Sequence, residues 1–250
     1  MTLAPSFLTH PLAHRGLHDA KAPENSRAAI RAAKEAGYGI EIDIQPSRDG
    51  VPMVFHDYDL RRLTPEQGPI QARSAAELAA IPLWGATSET VPTLREVLDL
   101  VDGKVPLLIE LKDQDGALGA SLSGLEQAVA EVVSGYTGDV ALMGFNPNAM
   151  QVLSRITDHP VGLTTCAFTA EDWPTVPAPT RERLAGIPDY DISGACFISH
   201  DQGDLGSARV EELKRLGAPV LCWTVRSPEE EAKARDVADN ITFERYRPEQ

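Results

Sequence analysis

The stretch Gly39-Ile40-Glu41-Ile42-Asp43-Ile44-Gln45 alternates isoleucine with acidic or polar residues. Side chains along a strand alternate between its two faces, so Ile40, Ile42 and Ile44 share one face and Glu41 and Asp43 the other. Three β-branched residues on one side predict a strand inside a sheet rather than a solvated edge. The opposite face then buries two carboxylates side by side. They repel each other and both lose hydration, a conflict that a bound cation relieves. An edge strand with both acids in water is the alternative, and the isoleucine face disfavours it.

Outward from this strand, short apolar or β-branched segments recur. Strands are predicted at 11–15, 39–45, 105–112, 140–145, 161–165, 194–199, 219–225 and 240–243. Continuous apolar runs of this length suit the buried strands of a parallel sheet. Helical patterns fall between them at 27–36, 94–101, 125–133, 147–156, 208–216 and 228–237. Thr93 with Glu96 three residues on forms a capping-box pattern. Ser227 and Pro228 followed by two glutamates mark another helix start. Alternating strand and helix predicts either a closed (β/α)8 TIM barrel or an open doubly wound sheet. Two stretches break the alternation. Residues 51–56 read as an extra strand after the turn Arg48-Asp49-Gly50, and 57–92 as a small insertion after the second strand, with a helical piece at 75–80. The Pro-rich segment 169–191 reads as a surface loop with one short helix.

Composition narrows the function classes. The 250 residues carry 23 Lys and Arg against 37 Asp and Glu, a formal charge of −14. Nucleic acids and anionic membranes require surplus cationic side chains, so neither is an expected partner. The length suits one domain over 1–250. Cys166, Cys196 and Cys222 lie in or beside apolar runs and cannot all pair, which fits small buried residues in a reducing compartment. Residues 1–14 lack the cationic start and apolar core of a secretion signal, and no apolar stretch reaches the about 18 residues of a membrane span. A cytoplasmic, non-membrane protein of undetermined oligomeric state is expected.

Catalytic groups in such barrels sit at the C-terminal ends of strands. His14-Arg15-Gly16 closes the first predicted strand, and Glu110-Leu111-Lys112 repeats the i, i+2 acidic spacing at the third. Glu110 offers a third carboxylate and Lys112 a compensating charge. Three carboxylates favour a hard cation, Mg2+ or Ca2+, over zinc. His56-Asp57 follows the short extra strand. His14 and His56 together can supply the proton acceptor and donor of general acid–base chemistry, since free imidazole titrates near about 6.5. Glu24 precedes a helix capped by Asn25 or Ser26, and is placed to reach the metal or to hold His14 or Arg15. Ser199-His200-Asp201 forms a further polar cluster that either helps to choose a substrate group or caps a loop.

The ordered set of motifs resembles the glycerophosphodiester phosphodiesterase family. It comprises His14-Arg15-Gly16, Pro23-Glu24-Asn25-Ser26, Glu41-Ile42-Asp43-Ile44-Gln45, Asp49-Gly50-Val51-Pro52 and His56-Asp57 with Leu60 and Arg62. It continues through residues 91–98, Ile109-Glu110-Leu111-Lys112, Gly144-Phe145-Asn146-Pro147 and Cys222-Trp223-Thr224-Val225, and so covers essentially the whole chain. The resemblance implies a (β/α)8 barrel with a small insertion after its second strand. It implies a divalent cation on Glu41, Asp43 and Glu110, and His14 and His56 as the acid–base pair. Arg15 and Lys112 would meet the phosphate, with Glu24 nearby. Trp223 would stand at the mouth of the seventh strand, or else pack in the core. The implied reaction is hydrolysis of a small glycerophosphodiester to glycerol 3-phosphate and an alcohol. Lysophospholipase D-type cleavage of a bulkier lipid is the neighbouring possibility, with Leu78, Ile81, Leu83 and Trp84 of the insertion as its apolar surface. A non-catalytic phosphodiester-binding protein is the remaining one. Two departures stand out. Ser26 replaces the usual threonine, and the acid expected directly after Thr242 is displaced to Glu244, which leaves the last strand's loop without an assigned role.

Overall fold

The isoleucine-bearing strand lies inside a closed sheet. The computed structural model describes residues 1–86 and 88–249. Its elements in chain order are α1 (Ser6–Thr9), β1 (Leu12–Ala13), α2 (Arg27–Glu35), β2 (Gly39–Pro46), β3 (Pro52–Val54), α3 (Ala75–Leu78), α4 (Leu94–Val101), β4 (Leu107–Leu111) and α5 (Leu125–Val133). They continue with β5 (Val140–Gly144), α6 (Pro147–Ile156), β6 (Val161–Thr165), α7 (Ala178–Ala185), β7 (Ile198–Asp201), α8 (Ala208–Arg215), β8 (Val220–Val225), α9 (Pro228–Ala234) and β9 (Asn240–Phe243). Strands run in the order β1-β9-β8-β7-β6-β5-β4-β2, and a β1–β2 pairing closes the ring. All of these pairings are parallel, and β3 alone is antiparallel, hung on the outer end of β2. This is the (β/α)8 TIM barrel, and the open doubly wound sheet is excluded.

Periodicity explains the layers. Ile40, Ile42 and Ile44 point outward and join Leu107, Ile109, Val140, Leu142, Val161, Ile198 and Val220 in one large core beneath the helices. The helices answer with Ile30, Val97, Leu98, Val129, Leu153, Val210 and Leu213. Burying each such side chain contributes about 1.5–3 kcal/mol. Inside the barrel, Leu12, Leu108, Ala141, Met143, Phe197 and Leu221 fill the lower part, with Phe7 of α1 against them. The interior is therefore apolar below, which confines polar side chains to the C-terminal end of the strands.

Helix starts follow the sequence signals. Thr93–Glu96 and Ser74–Glu77 form complete capping boxes, and Ser227 accepts from the Glu230 amide. Two strands differ from expectation. The first shrinks to Leu12–Ala13 because Arg15 and Gly16 adopt φ of 54° and 77°, which turns the chain across the barrel mouth. The seventh in chain order starts at Ile198 rather than 194, since Gly194 has φ 74°, and it runs on through Asp201. Its register to β6 and β8 then carries the polar Ser199-His200-Asp201 into the sheet.

Leu60, Ile70, Leu78, Ile81, Leu83 and Val91 of the insertion form a satellite core with Met53 and Phe55. Leu78, Ile81 and Leu83 are buried there, so of the apolar surface expected for a lipid only Trp84 is exposed. Cys166 and Cys222 are buried and Cys196 is half-buried, all unpaired. Among the described residues no helix is long and apolar enough to cross a membrane.

Candidate active site

The inward face of β2 and its neighbour β4 carries the acids. Asp43 and Glu110 are direct register partners, and Glu41 lies two residues below Asp43. Oxygens of Glu41, Asp43 and Glu110 all fall within 4.8 Å of one another, and all three residues are buried. Burial pushes the Glu41 carboxyl well above the carboxylate range, and the neighbouring Asp43 and Glu110 push it further. Burial acts in the same direction on Asp43, but Lys112, His56 and Arg15 outweigh it and hold Asp43 below its usual value. Lys112 Nζ lies 2.7 Å from Asp43 Oδ1 and 2.5 Å from Glu110 Oε1. Desolvation alone would lower Lys112, but these two carboxylates raise it, so it stays charged. Asn25, with φ 58°, donates from Nδ2 to Asp43 Oδ2 at 2.9 Å and fixes that carboxylate. An all-oxygen set whose third member, Glu41, is costly to ionise unaided fits a hard divalent cation.

Arg15 reaches the same cluster from the turn after β1. Its amide donates to Glu41 Oε2 at 3.0 Å, and its Nε lies 3.2 Å from Asp43 Oδ2 without hydrogen-bond alignment. Glu24 Oε1 accepts from Arg15 Nη1 at 2.7 Å, and Arg62 also holds Glu24 in a two-pronged contact.

Each histidine is oriented by a carboxylate. His14 Nδ1 is 2.8 Å from Glu244 Oε2, and His56 Nδ1 is 2.6 Å from Asp57 Oδ1. A carboxylate only accepts, so Nδ1 carries the proton in both rings and Nε2 is the acceptor when the ring is neutral. His14 Nε2 stands 4.0 Å from Glu41 Oε2. Burial drives His14 down to about 4, despite the opposing pull of Glu244, so its imidazole is uncharged at neutral pH. Asp57 is held in turn by Arg62, at 2.6 Å from its Nε. A cavity of about 920 Å³ joins these groups, lined by His14, Arg15, Glu41, Asp43, His56, Glu110 and Lys112 on one side. Phe145, Phe168, Trp173 and Trp223 line the other.

Residues 14–240 match the Glycerophosphoryl diester phosphodiesterase family. The chain belongs to that family. It is a phosphodiester hydrolase of the glycerophosphodiester phosphodiesterase type. A glycerophosphodiester phosphodiesterase of Caldanaerobacter subterraneus subsp. tengcongensis is 29% identical over 229 residues, 88% of this chain and 86% of that protein. Human glycerophosphodiester phosphodiesterase 1 is 32% identical over 206 residues, 78% of this chain and 58% of that protein. Among solved structures, an Oleispira antarctica phosphodiesterase in complex with its product sn-glycerol-3-phosphate superposes with a TM-score of 0.77 at 26% identity, covering 96% of this chain and 94% of that one.

Within this glycerophosphodiester phosphodiesterase fold, the residues expected at the site converge with one exception. Glu24 does not line the cavity. Its carboxylate is engaged by Arg15 and Arg62, the Arg15 contact being one of the roles its position in the sequence offered. Trp223 is half-buried at the cavity wall with Nε1 donating to Ser199 O at 3.0 Å, so it is both packed and accessible. Sequence reasoning left Glu244 and Asp57 without roles and offered Asn25 only as a helix cap, whereas Ser26 caps α2 and Asn25 holds Asp43. For Glu244 a signal existed. It lies two residues after Thr242, the same spacing as Glu41 and Asp43, at the end of the strand that pairs with β1. Thr242 Oγ1 is itself buried, unpartnered and part of the cavity lining.

Proposed function

We propose that this enzyme hydrolyses a small glycerophosphodiester to glycerol 3-phosphate and a free alcohol, with His14 and His56 as the acid–base pair. Glu41, Asp43 and Glu110 would hold one divalent cation, Mg2+ or Ca2+, which when bound supplies Lewis-acid charge to the phosphate oxygens. The observation that carries the reading is the meeting of two carboxylate-oriented imidazoles and three clustered acids in one cavity.

The side chains divide the work. Neutral His14 accepts the proton of the attacking oxygen, whether water or the substrate's own glycerol hydroxyl, and Glu244 stabilises the imidazolium that forms. His56, held by Asp57, donates a proton to the departing alcohol. Arg15 and Lys112 are fixed cations that lose no reorganisation energy as charge builds on the phosphoryl oxygens. Of these groups in the cavity lining, ionised Glu41, Asp43 and Glu110 carry one more negative charge than Arg15 and Lys112 balance. A divalent cation would turn that deficit into a surplus of one, so an acidic pocket can accept an anionic diester.

The test is a panel of glycerophosphodiesters with Mg2+, Ca2+ or EDTA, following release of glycerol 3-phosphate. The expected result is turnover that EDTA abolishes and one of the two cations restores. Turnover unchanged by EDTA overturns the cation assignment, and a lysophospholipid cleaved faster than every water-soluble diester overturns the substrate size.

A further inference from the structure

Phosphoryl chemistry occupies only the part of the cavity at the ends of β1, β2 and β4. The opposite wall rises from β5, β6, β7 and β8 and, among the described residues, adds no Lys or Arg to the cavity lining. Its rings interlock: Phe145 stands edge-on to Trp223 at 5.6 Å between centroids and lies 4.7 Å from Trp173, which in turn lies 5.2 Å from Phe168. Trp173 comes from the Pro-rich segment that follows β6, and Trp223 from β8.

Carboxylates share this wall. Asp201 is the register partner of Trp223 across β7 and β8, and Asp172 adjoins Trp173 in the chain. Asp172, Asp201 and Asp204 all line the cavity. Among the described residues none of the three has a Lys or Arg partner. Asp172 accepts from Thr169 Oγ1, Asp201 from the Gly203 amide, and Asp204 from His200 Nε2 at 3.2 Å. Burial lowers His200, so it is uncharged at neutral pH and does not neutralise Asp204. Negative charge without a Lys or Arg partner, beside half-buried tryptophan rings that line the cavity, is the chemistry that receives an organic cation. An acyl chain laid there would strip water from the carboxylates without pairing them, and an anionic group would be repelled.

We propose that this wall is the subsite for the departing alcohol, and that it selects diesters whose alcohol carries an ammonium group, quaternary or primary, over neutral or anionic ones. The proposal rests on the diesterase reading above and names the alcohol that reading leaves open. Trp173 and Trp223 supply ring faces, and Asp201 and Asp172 the charge. All four act on binding rather than on the bond broken.

Two measurements test it. In the first, kcat/KM of the cation-loaded enzyme is compared for glycerophosphocholine and bis-glycerol phosphate. A preference of about tenfold or more for the choline ester is expected, in line with a desolvated cation–π contact, and Asp201→Asn should shrink the ratio at least severalfold. A ratio near unity, or one unmoved by both Asp201→Asn and Trp173→Leu, overturns the proposal. The second does not need turnover. Free choline and its uncharged isostere 3,3-dimethyl-1-butanol are titrated against intrinsic tryptophan fluorescence. Choline should bind about tenfold tighter, with the difference lost in Asp201→Asn. Equal binding overturns the subsite whatever the enzyme hydrolyses. Selective choline binding without hydrolysis of any diester supports the subsite and refutes the diesterase reading instead.

Discussion

The two sides of the barrel mouth are built by different rules. On the side of β1, β2 and β4, every functional group is held by at least one charged or hydrogen-bonded partner: His14 by Glu244, His56 by Asp57, Asp43 by Asn25 and Lys112, Arg15 by Glu24. On the side of β5 through β8, rings pack on rings, and the three aspartates lack cationic partners among the described residues. Bond-making chemistry requires fixed distances and directions, which charge-assisted hydrogen bonds supply. Recognition of a leaving group tolerates breadth, because dispersion and cation–π attraction vary slowly with angle. The first side should therefore respond to substitution in kcat on all substrates alike, and the second in the ranking of substrates.

His56→Ala and His14→Ala should produce the largest effect, a loss of about a hundredfold or more in kcat that is the same for every diester. A loss confined to one alcohol would erase the division between the sides. Glu41→Gln comes next. It removes the carboxylate that burial and its neighbours make costly, so the cation-free protein should melt higher than wild type. Its melting temperature should no longer rise with added Mg2+ or Ca2+. An undiminished cation-induced shift in differential scanning fluorimetry would take Glu41 out of the cation site.

Glu244→Gln should lower kcat about tenfold with little change in KM, if His14 acts as the base proposed above and Glu244 only orients it. A KM effect alone would make Glu244 a binding residue. Acid titration should expose the same ring through stability. His14 titrates near 4 in the fold against 6.5 in an open chain, so on acidification the unfolded chain takes up the proton first. Stability present above about pH 6.5 is lost as pH falls towards 4, and His14→Gln should flatten that part of a melting-temperature profile. The smallest effect belongs to the shell that both sides share. Thr93→Ala removes the cap of α4 and should cost about 1 kcal/mol, with no change in substrate ranking.

Much of this was legible along the chain because local rules governed it. Period-two alternation separated Glu41 and Asp43 from the isoleucines, capping boxes marked helix starts, and continuous apolar runs marked buried parallel strands. Where a backbone turns was less legible. The positive φ at Arg15 cut β1 to two residues, and Gly194 delayed β7, because local propensity does not reveal which strand neighbours impose the register. The sequence left Glu24 to the metal, His14 or Arg15, and in the fold Arg15 and Arg62, from different segments, both hold it. Residue order alone assigns the ionisable side chains, the face of each strand they occupy and the family to which the chain belongs, while burial in the fold sets whether His14 and Glu41 are charged. The closed fold is what brings Glu244 to His14, 230 residues away, and sets Asp172 and Asp201 on one wall with Trp173 and Trp223. Ring closure through the β1–β2 and β1–β9 pairings brings together chain ends that no local rule relates, because contact across a barrel depends on strand order rather than on spacing in sequence.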